Sequence, residues 1–384
     1  MHLIHRTALA LSPAPTSAAF GLLGDVSGSS RALRQLREMD AMGLNVTVLQ
    51  TGAVRAPDAL PASTTVRRLA VTAGGGPLAF WRAHRALRRA ALATPAALYL
   101  ASDLYSLPAL AAASRRHDAA LVYDSRELYT ALDSSHGRPY VSTVWGAVER
   151  RFVRRADAVL TVGDAIAERL QERYGIDRPT VLHNAPAPRA DLDRDVLRQS
   201  LALPDDGRLL VLYQGLFREG RGLLTLVDAA REVEGVRLVL VGEGALEAEV
   251  AARGQDLGDR LVLHPFVPPD RLAALTPGAD LGACLIEPLT ESLRLSLPNK
   301  LFEYLAAGVP VLASPLPEIR AVVDQGVGIL ADPADSNAVA DALRQSLDPG
   351  RRAGWRENAP RTLDPYTWEH GRSAFRSLLT RLLG

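Results

Sequence analysis

Twice along this chain the same order of pieces recurs: a short apolar run, a turn rich in glycine or serine, an amphipathic stretch, and another apolar run. In the first half, Ala19–Leu23 leads into the loop Gly24-Asp-Val-Ser-Gly-Ser-Ser30. Leu33, Leu36 and Met39 then recur at helical spacing over Arg31–Met42, Gly43 stops that helix, and Asn45–Leu49 reads as the next strand. Further strands are expected at Val66–Leu69, Ala97–Leu100, Ala120–Tyr123 and Ala158–Val162. Helices are expected at Leu78–Ala93, Ala109–Arg116, Val144–Arg154 and Asp164–Arg173. Strand-loop-helix-strand units of this kind build a doubly wound parallel sheet.

The pattern breaks at Asn184-Ala-Pro-Ala-Pro188, where two prolines make a stiff connector suited to a domain boundary. It then restarts with strand Leu209–Tyr213, a glycine-rich turn and helix Leu223–Arg231. Strands at Arg237–Val241, Leu261–His264, Leu281–Leu285 and Val309–Ala313 follow. A length of 384 residues also favours two domains over one. The expected fold class is therefore α/β, with two Rossmann-like domains at residues 1–186 and 187–365 and a terminal helix at 366–384.

Composition narrows the function classes. Lys and Arg total 44 against 43 Asp and Glu, so no global field points to nucleic acid. The basic residues are nearly all arginine, a compositional bias. A single cysteine, Cys284, excludes an internal disulfide and a cysteine zinc cluster, and its apolar flanks read as packing. The longest apolar stretch, Ala96 to Ala113, is broken by Asp103 and Pro108, so no membrane span is expected. Residues 1–17 read as an extension or an irregular first strand, with only weak likeness to a secretion signal. A cytoplasmic protein is expected.

The stretch Ser296-Leu-Pro-Asn-Lys-Leu-Phe-Glu-Tyr-Leu-Ala-Ala-Gly-Val-Pro-Val-Leu-Ala-Ser314 carries the most chemistry. Pro298 suits the first position of a helix and Gly308 the position just past its end. Leu301, Tyr304 and Leu305 should face the core, while Lys300, Glu303 and Ala307 share another face. A lysine in the first turn opposes the helix dipole. It makes sense if an anion sits at that helix start, with Glu303 accepting hydrogen bonds from hydroxyls attached to it. The plainer alternative is a solvated Lys300–Glu303 pair.

This order of residues resembles the donor-site signature of family-four-type glycosyltransferases with the GT-B fold, two Rossmann-like domains facing each other across a cleft. The resemblance implies that Glu303 binds the ribose of a nucleotide-diphosphate sugar of UDP or GDP type. Lys300, with the adjoining backbone of Ser296, Pro298 and Asn299, would lie by the diphosphate. The terminal helix would pack across both domains.

Other segments fit the same resemblance with departures. Tyr213-Gln-Gly-Leu-Phe-Arg-Glu-Gly-Arg-Gly222 has glycines that let backbone approach a ligand and arginines that offer forked donors to phosphate. Read by residues alone, it is equally a glycine-rich surface turn. It matches the donor-diphosphate loop from Gly215 onward, yet Leu216 stands where an arginine is usual and Arg221 where a lysine is usual. Arg218 is the substitute for the missing charge. Gly242 belongs to a second glycine turn, Val241-Gly-Glu-Gly244. His264-Pro-Phe-Val-Pro268 matches the segment whose backbone reads the base, with Val267 as the contact. Relatives often carry a second glutamate where Leu295 stands, and Glu287 or Glu291 could replace it only if the loop folds back.

In the first half, Asp124, Arg126 and Glu127 leave a strand in Leu121-Val-Tyr-Asp-Ser-Arg-Glu-Leu-Tyr129, and Asp103 ends the preceding one. The resemblance places a histidine near the donor sugar where Arg126 stands. Arginine cannot act as a base near neutral pH, so Arg126 is expected to bind a sugar hydroxyl or an acceptor phosphate. Asp103 is expected to orient the acceptor, with structural salt bridging the alternative for this acidic and basic group.

Asp191-Leu-Asp-Arg-Asp195 superficially offers a metal-binding pair. It precedes a helix, where aspartates favour the N-terminus, so no metal is expected and no cofactor beyond the donor. Two arginine-rich helices, Phe80–Arg89 and Glu149–Arg155, carry aromatic residues. They read as solvated faces or as peripheral contact with an anionic membrane, where a lipid-linked acceptor would lie.

The expected activity is sugar transfer to a glycan, lipid-linked or small-molecule acceptor, with retention of configuration and without metal. Arg218, Arg221 and Lys300 would stabilise the departing diphosphate. The rivals are a nucleotide-sugar epimerase or hydrolase on this scaffold, and a catalytically silent homologue that binds nucleotide sugars.

Overall fold

The computed structural model describes residues 16–70, 77–131, 139–189 and 192–384. Residues 1–15, and with them most of the expected N-terminal extension, lie outside the described residues.

The first seven strands are β1 (Ser17–Leu22), β2 (Asn45–Gln50), β3 (Thr64–Arg68), β4 (Leu98–Ala101), β5 (Ala120–Ser125), β6 (Ala158–Thr161) and β7 (Thr180–Val181). They form one sheet in the order β3-β2-β1-β4-β5-β6-β7. The other six are β8 (Leu209–Gln214), β9 (Val236–Val241), β10 (Leu261–His264), β11 (Leu281–Cys284), β12 (Val311–Ala313) and β13 (Gly328–Leu330). They form a second sheet in the order β10-β9-β8-β11-β12-β13. Neighbouring strands run parallel, as β8 with β9 and β11 with β12. Helices cover parallel sheets on both faces, which is why all six residues of β8 and all six of β9 are buried.

Strand order reverses between β1 and β4 in the first sheet and between β8 and β11 in the second. Such switch points open a crevice at the carboxyl ends of the strands, where open parallel sheets bind ligands. Gln214 ends β8 and Cys284 ends β11, so the second switch point is framed by Gln214, the glycine-rich turn and the segment after Cys284. Cys284 itself is wholly buried, and burial pushes its thiol up to about 11. It packs in the core, as its flanks implied.

Helix Asn299–Ala306 sits on this sheet through Leu301, Tyr304 and Leu305, none of them more than 1% exposed. The helix starts one residue later than expected. Pro298 holds extended backbone at φ −70°, ψ 138° and caps the helix instead of opening it. Gly308 follows its end at φ +63°, in the left-handed conformation that closes a last turn. The Tyr304 hydroxyl then holds the end of β8 at two points: it accepts from the Gln214 backbone N–H at 3.1 Å and donates to the Leu212 carbonyl at 3.0 Å.

The ring of Tyr304 fits because β11 has no side chain at Gly282. A Cβ there would lie 2.3 Å from Tyr304 Cγ. Gly282→Ala is therefore expected to overpack the core and cost about 1–3 kcal/mol, read as a lower denaturation midpoint at unchanged slope. A midpoint equal to that of the parent would mean the ring moves aside freely.

Candidate functional site

The carboxyl end of β8 runs straight into the glycine-rich turn, and two backbone loops are laid against each other there. Gly215 N–H donates to the Val241 carbonyl at 3.0 Å, Phe217 N–H to Glu243 at 2.9 Å, and Leu246 N–H to Phe217 at 3.0 Å. Gly242 N–H reaches the His264 carbonyl at 3.0 Å, tying in the segment that carries Val267. The Tyr213 hydroxyl donates to the Leu216 carbonyl at 2.8 Å. At the far end of the turn, Glu287 Oε1 accepts from Gly222 N–H at 3.0 Å. The loop does fold back, but Glu287 spends an oxygen on fixing the turn. Leu295 ends the short helix Glu291–Arg294.

Lys300 enters this turn from the helix start. Its Nζ lies 3.7 Å from the centroid of the Tyr213 ring, a cation–π contact. A Cβ on Gly215 would come within 3.3 Å of the same nitrogen. Removal from water is the main reason the Lys300 ammonium is pushed down to about 8. The charges of Arg221 and Arg218 act in the same direction, and Glu303 opposes them. Lys300, at the helix start, therefore lies within electrostatic reach of Arg221 and Arg218 of the glycine-rich turn. No side chain caps the start of the Lys300 helix. Backbone N–H groups at a helix start and clustered cations are the ordinary makings of an anion site.

Glu303 is exposed, one turn further along. The solvated lysine–glutamate pair is not how this helix is arranged. Lys300 stands over Tyr213, while Glu303 Oε2 accepts from the side-chain amide of Gln214. Asn299 is exposed at the helix start. The Ser296 hydroxyl donates to the Leu293 carbonyl at 2.7 Å, closing the turn before Pro298. Val267 is 8% exposed and joins the core, while neighbouring Phe266 is 57% exposed.

Around the first sheet, Asp103 is buried at the other switch point. Its Oδ2 accepts from Leu23 N–H at 3.0 Å and its Oδ1 from Ser106 N–H at 2.6 Å, so it ties the end of β1 to the segment after β4. Asp124 is fully buried near the end of β5, Arg126 is partly exposed and Glu127 is exposed. The Thr161 hydroxyl donates to the Ser125 carbonyl at 2.7 Å and the Ser125 hydroxyl to the Glu127 carbonyl at 3.2 Å, which fix this turn.

Asp191 lies outside the described residues. Asp193 accepts from Asp195 N–H at 2.9 Å, a local turn before helix Val196–Ser200. On helix Pro77–Leu92, Trp81 is 54% exposed and Arg82, Arg85, Arg88 and Arg89 are exposed, with the Arg85 guanidinium 5.4 Å from the Trp81 ring. Among the described residues, no helix is long and apolar enough to cross a membrane.

Two residues of the second site had no role in the sequence reading: Tyr213 under Lys300 and Gln214 against Glu303. The available signal was a polar residue closing an otherwise apolar strand, Leu-Leu-Val-Leu-Tyr-Gln214.

Comparison with known proteins agrees with this geometry. A family described as glycosyl transferases group 1 matches residues 208–348, and one described as glycosyl transferase 4-like domain matches residues 28–185. A D-inositol 3-phosphate glycosyltransferase of Rhodococcus opacus is 27% identical over 243 residues, 58% of this chain and 52% of that protein. The chain thus spans about half the length of that curated relative. Sucrose-phosphate synthase from Thermosynechococcus elongatus superposes with a TM-score of 0.77 at 20% identity, over 96% of this chain and 99% of that one. Anabaena HepE in complex with UDP-glucose gives 0.75 at 19% identity, over 95% and 100%. With one model on each sheet and together spanning most of the chain, this protein belongs to the group 1 glycosyl transferases and has the GT-B fold.

Proposed function

We propose that this protein transfers a sugar from a nucleoside-diphosphate sugar to an acceptor hydroxyl. One observation carries the reading: Lys300 stands over Tyr213 and against Gly215 at the β8/β11 switch point, within electrostatic reach of Arg221 and Arg218, beside an uncapped helix start and one turn from an exposed carboxylate. The cations and helix start would hold the diphosphate and stabilise charge growing on it as the sugar departs. Glu303 would accept from the ribose hydroxyls. The UDP-glucose held by the structurally similar HepE supports a donor of this class.

In this reading the donor belongs to the domain of the second sheet, residues 187–365, and the acceptor to that of the first, residues 1–186. Arg126 binds a hydroxyl or phosphate, and configuration is retained without metal, the leaving phosphate taking the acceptor proton. The enzyme works in the cytoplasm on a glycan, lipid-linked or small-molecule acceptor. The exposed Trp81 among arginines supports peripheral contact with an anionic membrane. The protein is then expected to sediment with phosphatidylglycerol vesicles at low salt and to stay in solution with phosphatidylcholine vesicles; equal partition would argue against the contact.

The donor site is tested by thermal shift with UDP, GDP, ADP and their sugars. One nucleotide series should raise the melting temperature, and Glu303→Ala should weaken its binding about 10–100-fold, the range for a hydrogen bond to a charged group. If Glu303→Ala binds as tightly as the parent, the carboxylate has no part in donor recognition.

A further inference from the structure

We propose that Gln214 is a positioning residue that aligns the Glu303 carboxylate and sets the preference for ribose over deoxyribose in the donor. This rests on the donor reading above, and extends it to a residue with no charge and no direct call on phosphate.

Gln214 is the last residue of β8 and is 3% exposed. Its backbone is pinned by the Tyr304 hydroxyl, 3.1 Å away. Its side-chain Nε2 donates to Glu303 Oε2, and its Oε1 lies 3.1 Å from the hydroxyl oxygen of Thr276, a residue 1% exposed. Glu303 is 89 residues away in sequence and Thr276 is 62.

The direction of this chain follows from chemistry. An ionised carboxylate only accepts, so the amide must present its N–H₂ to Glu303 and its oxygen to Thr276. The reverse orientation would set two acceptors against each other. The Thr276 hydroxyl oxygen also lies 2.8 Å from the Leu272 carbonyl, so it is held from that side as well. Glu303 stands exposed on its helix, and such a side chain ordinarily samples several rotamers. The amide selects one of them. A carboxylate has about four acceptor positions, and the bond from Gln214 occupies one of them.

The test compares UDP, GDP and ADP with their 2′-deoxy forms by calorimetry on the full chain. The variants are Gln214→Leu, Gln214→Glu and Glu303→Ala, each checked for an intact melting transition. The parent is expected to favour the ribo form about tenfold or more, because a site built to bond a hydroxyl rejects the analogue lacking it. Gln214→Leu should weaken the ribo form about tenfold and the deoxy form little, so the preference collapses.

Gln214→Glu sets two carboxylates face to face, so its ribo affinity should recover as pH falls and one of them takes a proton to donate. Simple loss of packing would weaken both nucleotide forms alike and show no recovery at low pH. Either of those results overturns the proposal. If Glu303→Ala abolishes the preference while both Gln214 variants keep it, Gln214 has no positioning role and the donor reading stands. If the parent binds no nucleotide, or Glu303→Ala changes nothing, the donor reading falls and this inference with it.

Discussion

Replacing Lys300 with methionine is expected to raise the melting temperature of the ligand-free protein and remove most of its affinity for a nucleoside diphosphate. The ammonium is held down to about 8 from an ordinary value near 10.5, chiefly by removal from water. A lowered lysine means that the unfolded chain binds the proton more tightly than the fold does. Its contribution is therefore destabilising at neutral pH and fades as pH rises from about 8 to about 10.5. The strain is on the order of 1–3 kcal/mol after allowance for solvent screening. Methionine keeps the length and sets sulfur against the Tyr213 ring, recovering part of the lost cation–π contact. A gain of about 2–4 °C per kcal/mol is the scale expected for a domain of this size.

Donor binding should run the other way with pH. A diphosphate prefers the charged lysine, so affinity in the parent should fall as pH rises through 8, and that limb should be missing in Lys300→Met. The sequence offers a direct reading of the group, because Lys300 is the only lysine in the chain. Carbon-13 lysine labelling gives a single side-chain resonance whose titration midpoint should lie near 8 and move upward when nucleotide binds. A midpoint near 10.5 without ligand would show that the ammonium is solvated, and the stability gain would then not occur. Arginine covers every other basic position, yet Lys300→Arg is not conservative here. A planar fork is bulkier than the point charge that fits between Tyr213 and the backbone of Gly215.

The fold was legible for a physical reason. Strands buried on both faces are near-continuous apolar runs, so Leu-Leu-Val-Leu and Val-Arg-Leu-Val-Leu-Val stand out between glycine turns, the buried Arg237 of the second being paired with Asp206 and Asp259. Elements whose formation depends on packing alone were not legible. β7 has two residues and β13 three, too short for any periodicity. Helix Pro349–Leu363 includes two glycines, an internal Pro360 and no apolar stripe, and it forms because Ala359, Thr362 and Leu363 find a core to enter. Pro298 was misplaced by one position because proline's fixed φ suits both the first turn and the extended residue before it.

At the site, charge and order were legible, while partnership was not. Lys300 against the helix dipole and Glu303 one turn on could be singled out from sequence, because each violates or completes a local rule. That Lys300 rests on Tyr213 and that Glu303 meets Gln214 depends on β8 and a helix far along the chain being adjacent. Nothing in either segment specifies the other.

Gly242→Ala should have the largest effect of any small substitution in this domain. Its φ of +156° already disfavours a side chain, and a Cβ would fall 1.9 Å from the Gly215 carbonyl oxygen and 3.0 Å from the Phe217 ring. The obstructing atom is backbone, fixed by the Gly215–Val241 and Phe217–Glu243 hydrogen bonds, so no rotamer change relieves it. The turn must move away from β9, taking with it the backbone beside Lys300. A cost of about 3 kcal/mol or more is expected, with nucleotide binding lost even where the variant remains folded. Gly207→Ala separates conformation from collision. Gly207 also has positive φ, at +77°, but nothing lies within 4 Å of its missing Cβ. That variant should lose only about 1–2 kcal/mol and keep its nucleotide affinity. Equal losses in the two would mean that backbone preference alone shapes the turn, and that the close approach of Gly215 to Gly242 does not hold the diphosphate site together.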